Sequence, residues 1–119
     1  SEHEIDTINA EVHQIAQHHL ANYQINSKKL MFAVRQSKLL HDTVNNTAIN
    51  TILNLLLGKE VKLFQSINFE EGSQQQTHSD SVHMTTFPLG YLIAIWVALE
   101  DVQPGSGVLH YYPGSHLVH

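Results

Sequence analysis

The chain has 119 residues, the size of one small domain or of a piece of one. With 42% hydrophobic and 14% charged residues, no cysteine, and no apolar run near the ~18–20 residues of a membrane span, it is not a disordered chain, a disulfide scaffold, a thiolate metal site or a membrane helix. The net charge is −5, and all six basic residues (Lys28, Lys29, Arg35, Lys38, Lys59, Lys62) precede position 63; residues 63–119 carry five acids and no Lys or Arg, which makes that segment a poor phosphate or nucleic-acid surface.

In chain order, Ile5, Ile8, Val12 and Ile15 recur at spacings of three and four, with Ala16, Leu20 and Tyr23 on a neighbouring line. That stripe predicts an amphipathic helix, and Ser1 with Glu4 fits a capping box at its start. Residues 24–36 show no clean period. From Ser37 to Leu57 a second helical region is expected, because Leu40, Val44, Ala48, Ile52 and Leu56 fall four apart. Asn45-Asn46 is a candidate break within it, and Gly58 stands where a helix-terminating glycine belongs.

Beyond Gly58 the period changes to two. Val61, Leu63, Ile67 and Phe69 alternate with Lys62, Ser66 and Asn68, the pattern of a strand, and Gly72-Ser73 reads as a turn. The run Leu89–Leu99 is long and apolar. Its β-branched and aromatic content, bounded by Pro88 and Pro104-Gly105, favours a strand over a buried helix. As a strand it has a bulky face (Leu89, Tyr91, Ile93, Ile95, Val97, Leu99). Its other face is mostly small residues around Trp96, with room for a ligand. Val108–Tyr112 is a further short strand, followed by a Pro113-Gly114 turn. Helices first and turn-separated strands after predict an α+β fold, with a helical region over 1–58 and a strand region over 59–119 in one domain.

Ten histidines put a metal site among the early candidates. His13, His18, His19 and His41 fall in helical stretches and read as surface or boundary residues. The sharpest local feature is His78-Ser79-Asp80. On a strand, residues i and i+2 point to the same side, so imidazole and carboxylate converge and supply two of the three ligands of a facial two-histidine-one-carboxylate iron site. A surface turn in which Asp80 accepts local hydrogen bonds fits the same letters. His83, three residues on, is a candidate for supporting that pair or touching substrate, and equally for an inert surface position. Gln74, Gln75 and Gln76 are either polar strand edge or hydrogen-bonding partners of a bound molecule.

Three stretches in this order, GSQQQTHSD at 72–80, WVALEDV at 96–102 and SGVLHYYPGSH at 106–116, resemble the phytanoyl-CoA dioxygenase family of Fe(II)- and 2-oxoglutarate-dependent oxygenases. The resemblance covers residues 61–119 well and the helical N-terminus loosely. It implies a double-stranded β-helix (jelly roll, cupin-like) preceded by helices. It places His78 and Asp80 as the first two metal ligands and catalytic residues. Trp96 falls where the family has an aromatic residue near the 2-oxoglutarate cosubstrate, and Gln75 is carried as a cofactor-side candidate. Halogenating relatives have a small residue where Asp80 stands, so the resemblance favours oxygenation, most simply hydroxylation of a small organic substrate by O2. The lack of a basic patch argues mildly against a coenzyme A ester. A cytoplasmic location is the expectation that goes with ferrous iron and 2-oxoglutarate, with no nucleic acid or membrane as partner.

The same pattern requires a second histidine ligand and an arginine for the distal carboxylate of 2-oxoglutarate. Both belong on strands after the Pro-Gly-Ser-His turn, and no Lys or Arg follows Lys62. Four or five strands do not close an eight-stranded jelly roll. The expectation is therefore an N-terminal portion of a longer protein, cut before the barrel closes. A short chain completed by a partner chain, with self-association through the unclosed barrel, is the other option. His110 and His119 are present but stand on the wrong part of the pattern for the missing ligand, and no spacing brings Arg35 to the site. Two other readings stay open: a cupin-like metal-binding protein that does not use 2-oxoglutarate, and a non-catalytic half-barrel.

Overall fold

The computed structural model describes residues 1–23, 29–72 and 75–117. Lys28, the Ser73 half of the expected turn, Gln74, His119 and the side chains of Leu20 and Tyr23 lie outside the described residues. The elements are α1 (Glu2–Tyr23), β1 (Lys29–Met31), α2 (Lys38–Val44), α3 (Thr47–Leu57) and β2 (Ile67–Phe69). Short 3-10 turns occupy Ala33–Arg35, Asp80–Val82 and Ser115–Leu117. The fold class is α+β.

Helix α1 starts as its first residues dictate. Ser1 Oγ donates to Glu4 Oε2 at 2.9 Å and accepts from the Glu4 N–H at 3.4 Å. Two acids in the first turn complement the positive end of the helix. The apolar stripe turns inward and its centre, Ile8, is almost completely buried. The expected second helical region is two helices, and the asparagine pair separates them. Asn45 ends α2 with its N–H on the His41 carbonyl. Asn46 opens α3 by accepting the Ile49 N–H at 3.0 Å, while its own amide donates to the Thr43 carbonyl at 2.8 Å. Gly58 closes α3 at φ 64°, a left-handed conformation that costs glycine nothing.

A small core forms where α1 meets α2. Ile8, Ala33, Val34 and Leu40 are buried, and Val12, Leu30, Leu39, Val44, Leu63 and Leu99 pack around them. Ser37 lies among these apolar groups at 3% exposure. Its hydroxyl caps α2 by accepting the Leu40 N–H at 3.0 Å and donates to the Glu11 carboxylate of α1. One buried oxygen thus ties two helices together. Next to it, Phe32 stands at φ 61°, which costs a non-glycine residue about 1–2 kcal/mol. Its N–H on the Ser66 carbonyl at 2.8 Å and the Arg35 guanidinium 4.4 Å from its ring hold it there.

Strand content is smaller than the periodicity predicts. Of the alternating stretch 61–69, only Ile67–Phe69 enters a ladder, antiparallel to β1, with Met31 opposite Ile67 and Lys29 opposite Phe69. The earlier half is held by helices instead. The Val61 N–H donates to Asn54 Oδ1 at 2.7 Å, Leu63 packs on the core, and Arg35 reaches the Phe64 carbonyl at 3.4 Å. The expected strands at Leu89–Leu99 and Val108–Tyr112 are not strands among the described residues. β-Propensity does not hold a strand without a ladder partner, because its amides and carbonyls then stay with water. The predicted contrast between a bulky buried face and a small open face is correspondingly absent. Leu89 is 77% and Trp96 52% exposed, although they belong to opposite faces. This stretch is anchored at its end, where the Asn9 amide donates to the Leu99 carbonyl at 2.9 Å, and near its start, where Lys59 Nζ sits 4.5 Å from the Tyr91 ring centroid. No helix among the described residues is long and apolar enough to cross a membrane.

Two outcomes follow from this packing. Ser37→Ala is expected to lower stability in urea by about 1–2 kcal/mol, and Ser37→Asp by more, because a carboxylate at that place faces Glu11. On the α2 surface, hydrogen bonds from Lys38 first and His41 second hold the Asp42 carboxyl below its ordinary 3.8. Its contribution is present above that value and is lost as the pH falls through the lowered one. In Asp42→Asn, acid titration of helicity by circular dichroism should lack that component.

Candidate functional site

The candidate residues sit in a short, exposed piece of chain whose shape is set locally. Ser79 is extended, at φ −99° and ψ 131°. The 3-10 turn Asp80–Val82 follows at once, closed by Val82 N–H to Ser79 carbonyl (3.0 Å), His83 N–H to Asp80 carbonyl (3.0 Å) and Met84 N–H to Asp80 carbonyl (2.9 Å). His78 and Asp80 therefore do not lie on a strand, as the spacing argument assumes. A single extended residue between them suffices to turn both side chains to one side.

The two side chains meet. His78 Nε2 lies 3.3 Å from Asp80 Oδ1. The other ring nitrogen, Nδ1, is 2.6 Å from the Gln76 backbone carbonyl. A carbonyl oxygen only accepts, so Nδ1 carries the proton and donates it. In the neutral ring Nε2 then presents a lone pair to the carboxylate. Two electron-rich atoms held this close repel one another unless a proton or a cation lies between them. Two cis bonds of about 2.1 Å at right angles set nitrogen and oxygen donors ~3.0 Å apart. Both the donor set and its spacing therefore fit a divalent cation. Both residues are exposed, with side-chain exposures of 28% for His78 and 49% for Asp80, so the pair is open to solvent and to ligand entry.

The surroundings differ from the expected ones in part. Among the described residues no third His, Cys, Asp or Glu completes a metal-holding group. His83 is close, its ring centroid 5.3 Å from that of His78 at an interplanar angle of 66°. Neither Gln75 nor Trp96 makes a hydrogen bond or ring contact with His78 or Asp80, and both are exposed. His116 lies in the turn Ser115–Leu117, and His110 is exposed. Arg35 is committed to Phe32 and the Phe64 carbonyl. A cleft of about 410 Å³ lies elsewhere, between α1, α2 and Val97–Leu99, and none of its lining residues belongs to 75–83.

Two contributors are not foreseen from the sequence. One is the Gln76 carbonyl, a backbone group that every residue has and no motif marks. The other is Tyr112, whose hydroxyl is 3.5 Å from Thr77 Oγ1 and so links the Tyr-Tyr-Pro-Gly stretch to the residue beside His78. Its signal was its place in the third motif.

Comparison with known proteins adds an independent observation. The family model described as phytanoyl-CoA dioxygenase matches residues 1–119. Among curated proteins, phytanoyl-CoA dioxygenase domain-containing protein 1 of Danio rerio is 42% identical over 45 residues, which are 38% of this chain and 16% of that protein. Its Mus musculus counterpart is 38% identical over 45 residues, with the same shares. The Caenorhabditis briggsae homologue is 27% identical over 70 residues, 46% of this chain and 24% of that protein. The matched stretches thus span a quarter or less of these relatives' length. No solved structure matches significantly.

Because the acceptor for His78 is a main-chain carbonyl, Gln76→Ala should leave the His78 Nδ1–H resonance in the 15N imidazole spectrum where it is. Loss of that resonance would assign the contact to the glutamine side chain.

Proposed function

The chain belongs to the phytanoyl-CoA dioxygenase family, and from that premise we propose that the whole protein is a non-haem Fe(II)- and 2-oxoglutarate-dependent dioxygenase that hydroxylates a small organic substrate. The observation that carries this reading is the 3.3 Å approach of His78 Nε2 and Asp80 Oδ1, inside the motif by which the sequence resembles the family. These two residues would hold the iron. When bound, iron with 2-oxoglutarate supplies the activation of O2, with succinate and carbon dioxide as co-products.

The protein's own residues prepare that site. The Gln76 carbonyl keeps the proton on His78 Nδ1, so the Nε2 lone pair stays available. Asp80 supplies the negative charge that balances a divalent cation, and by occupying a ligand position it favours oxygenation over halogenation. The Thr77–Tyr112 contact ties the Tyr-Tyr-Pro-Gly stretch to the residue before His78. On this reading residues 59–119 are the first strands of a jelly-roll core after a helical region over 1–58. Trp96 and Gln75 then line the 2-oxoglutarate side once the stretch 89–99 has ladder partners. The third ligand and the arginine for the cosubstrate come from outside the described residues, in a compartment that supplies ferrous iron and 2-oxoglutarate, the cytoplasm.

A second reading is favoured by one feature. Leu89, Tyr91, Ile95, Trp96 and Val97 are all at least 40% exposed on a stretch without ladder partners. Two chains that complete one another's sheet would cover them, and the mass in solution separates a monomer from that assembly.

Succinate release coupled to O2 uptake is the assay for the full-length protein, and Asp80→Ala should lower it by more than about a hundredfold. Retained turnover in that variant would overturn the assignment. Metal binding without succinate release would instead place the protein with cupin-like proteins that do not use 2-oxoglutarate.

A further inference from the structure

We propose that His83 is a positioning residue. Its ring packs against the His78 imidazole and fixes the orientation in which Nδ1 meets the Gln76 carbonyl and Nε2 faces Asp80, an inference that rests on the reading of His78 as a ligand.

The hydrogen bond from Nδ1 to the Gln76 carbonyl restrains His78 at one atom. A single hydrogen bond leaves the ring free to tilt about the bond axis, and each tilt swings Nε2 away from Asp80. A body against the ring removes that freedom. The His83 ring is such a body, 5.3 Å away between centroids at 66°, within the range in which aromatic rings prefer edge-to-face packing.

The backbone supplies this contact locally. A 3-10 turn has three residues per turn, so side chains at i and i+3 eclipse. Asp80 opens the turn and His83 ends it, with the His83 N–H on the Asp80 carbonyl at 3.0 Å. The turn that brings the carboxylate to one edge of His78 therefore brings a second imidazole to its flank. Both arrive from six consecutive residues, with no strand partner needed.

The contact is one of packing. Among the described residues the His83 side chain makes no hydrogen bond, and it does not join His78 and Asp80 in a metal-holding group of three. A phenyl ring at position 83 would serve the same purpose, and a methyl group would not.

The test is 15N imidazole NMR on the metal-free chain at a pH where His78 is neutral. In the parent chain and in His83→Phe, His78 should be held as the Nδ1–H tautomer. In His83→Ala the ratio of Nδ1–H to Nε2–H tautomer should fall roughly two- to tenfold, the factor an aromatic pair contributes. An unchanged ratio in His83→Ala overturns the proposal. So does a His83→Phe variant that behaves like His83→Ala, because position 83 would then act through a ring nitrogen.

Titration with Co(II) alone gives a second readout. His83→Ala should bind roughly two- to tenfold more weakly than the parent and His83→Phe like the parent; equal affinity in all three overturns the proposal. If the parent chain binds no Co(II), the metal reading of His78 and Asp80 fails in this chain, while the tautomer series still decides the role of His83.

Discussion

The buried hydroxyl of Ser37 is the interaction on which the rest of this structure depends. It accepts the Leu40 N–H, donates to Glu11, and lies at 3% exposure among Ile8, Ala33, Val34 and Leu40. A polar group in such a place is tolerable only when its hydrogen bonds are made, and this one is used in both directions. The result is a direct tie between α1 and α2 beside a small core of four buried apolar residues. From there the chain is held step by step. Ser66 accepts the Phe32 N–H with its carbonyl and the Val34 N–H with its hydroxyl, at 2.8 and 3.2 Å, which sets β2 beside β1.

The candidate site draws on a different source of order. Its residues are exposed and belong to no sheet, yet His78, Asp80 and His83 converge, because one extended residue and one 3-10 turn are enough to aim three side chains together. Local hydrogen bonds within six residues cost little chain entropy to form, in contrast to a ladder between distant strands. In this chain the His-x-Asp pair is thus brought together by local structure alone, without a ladder partner. What the pair lacks is enclosure. The aromatic and glutamine candidates, Trp96 and Gln75, are exposed and make no hydrogen bond or ring contact with His78 or Asp80.

The helical part of the fold was legible because helix signals are local. The 3- and 4-residue spacing around Ile8, the Ser1–Glu4 box, the Asn45-Asn46 break and Gly58 each act through bonds within a few residues, and each is found where it was expected. The strand signals fared worse for the complementary reason. Alternation at 61–69 records which side chains could face one way, but Asn54 and Arg35 compete for the backbone groups of its first half. The run 89–99 is rich in β-formers, and composition cannot supply a partner strand. At the site, the motif named His78 and Asp80, whereas the Gln76 carbonyl and the Tyr112 hydroxyl were visible only once the chain was folded.

By itself the sequence determined the helices and their ends, the α+β class and the absence of cations after Lys62, and it singled out His78 and Asp80 as a candidate pair, because each of these is written in residue type and short-range spacing. Only the tertiary structure decided which apolar residues became core, which half of the alternating stretch joined a ladder, which nitrogen of His78 faces Asp80 and which ring lies against it. Those outcomes are settled by competition between groups far apart in the chain for a limited number of hydrogen-bonding and packing partners, and spacing along a sequence does not record who wins.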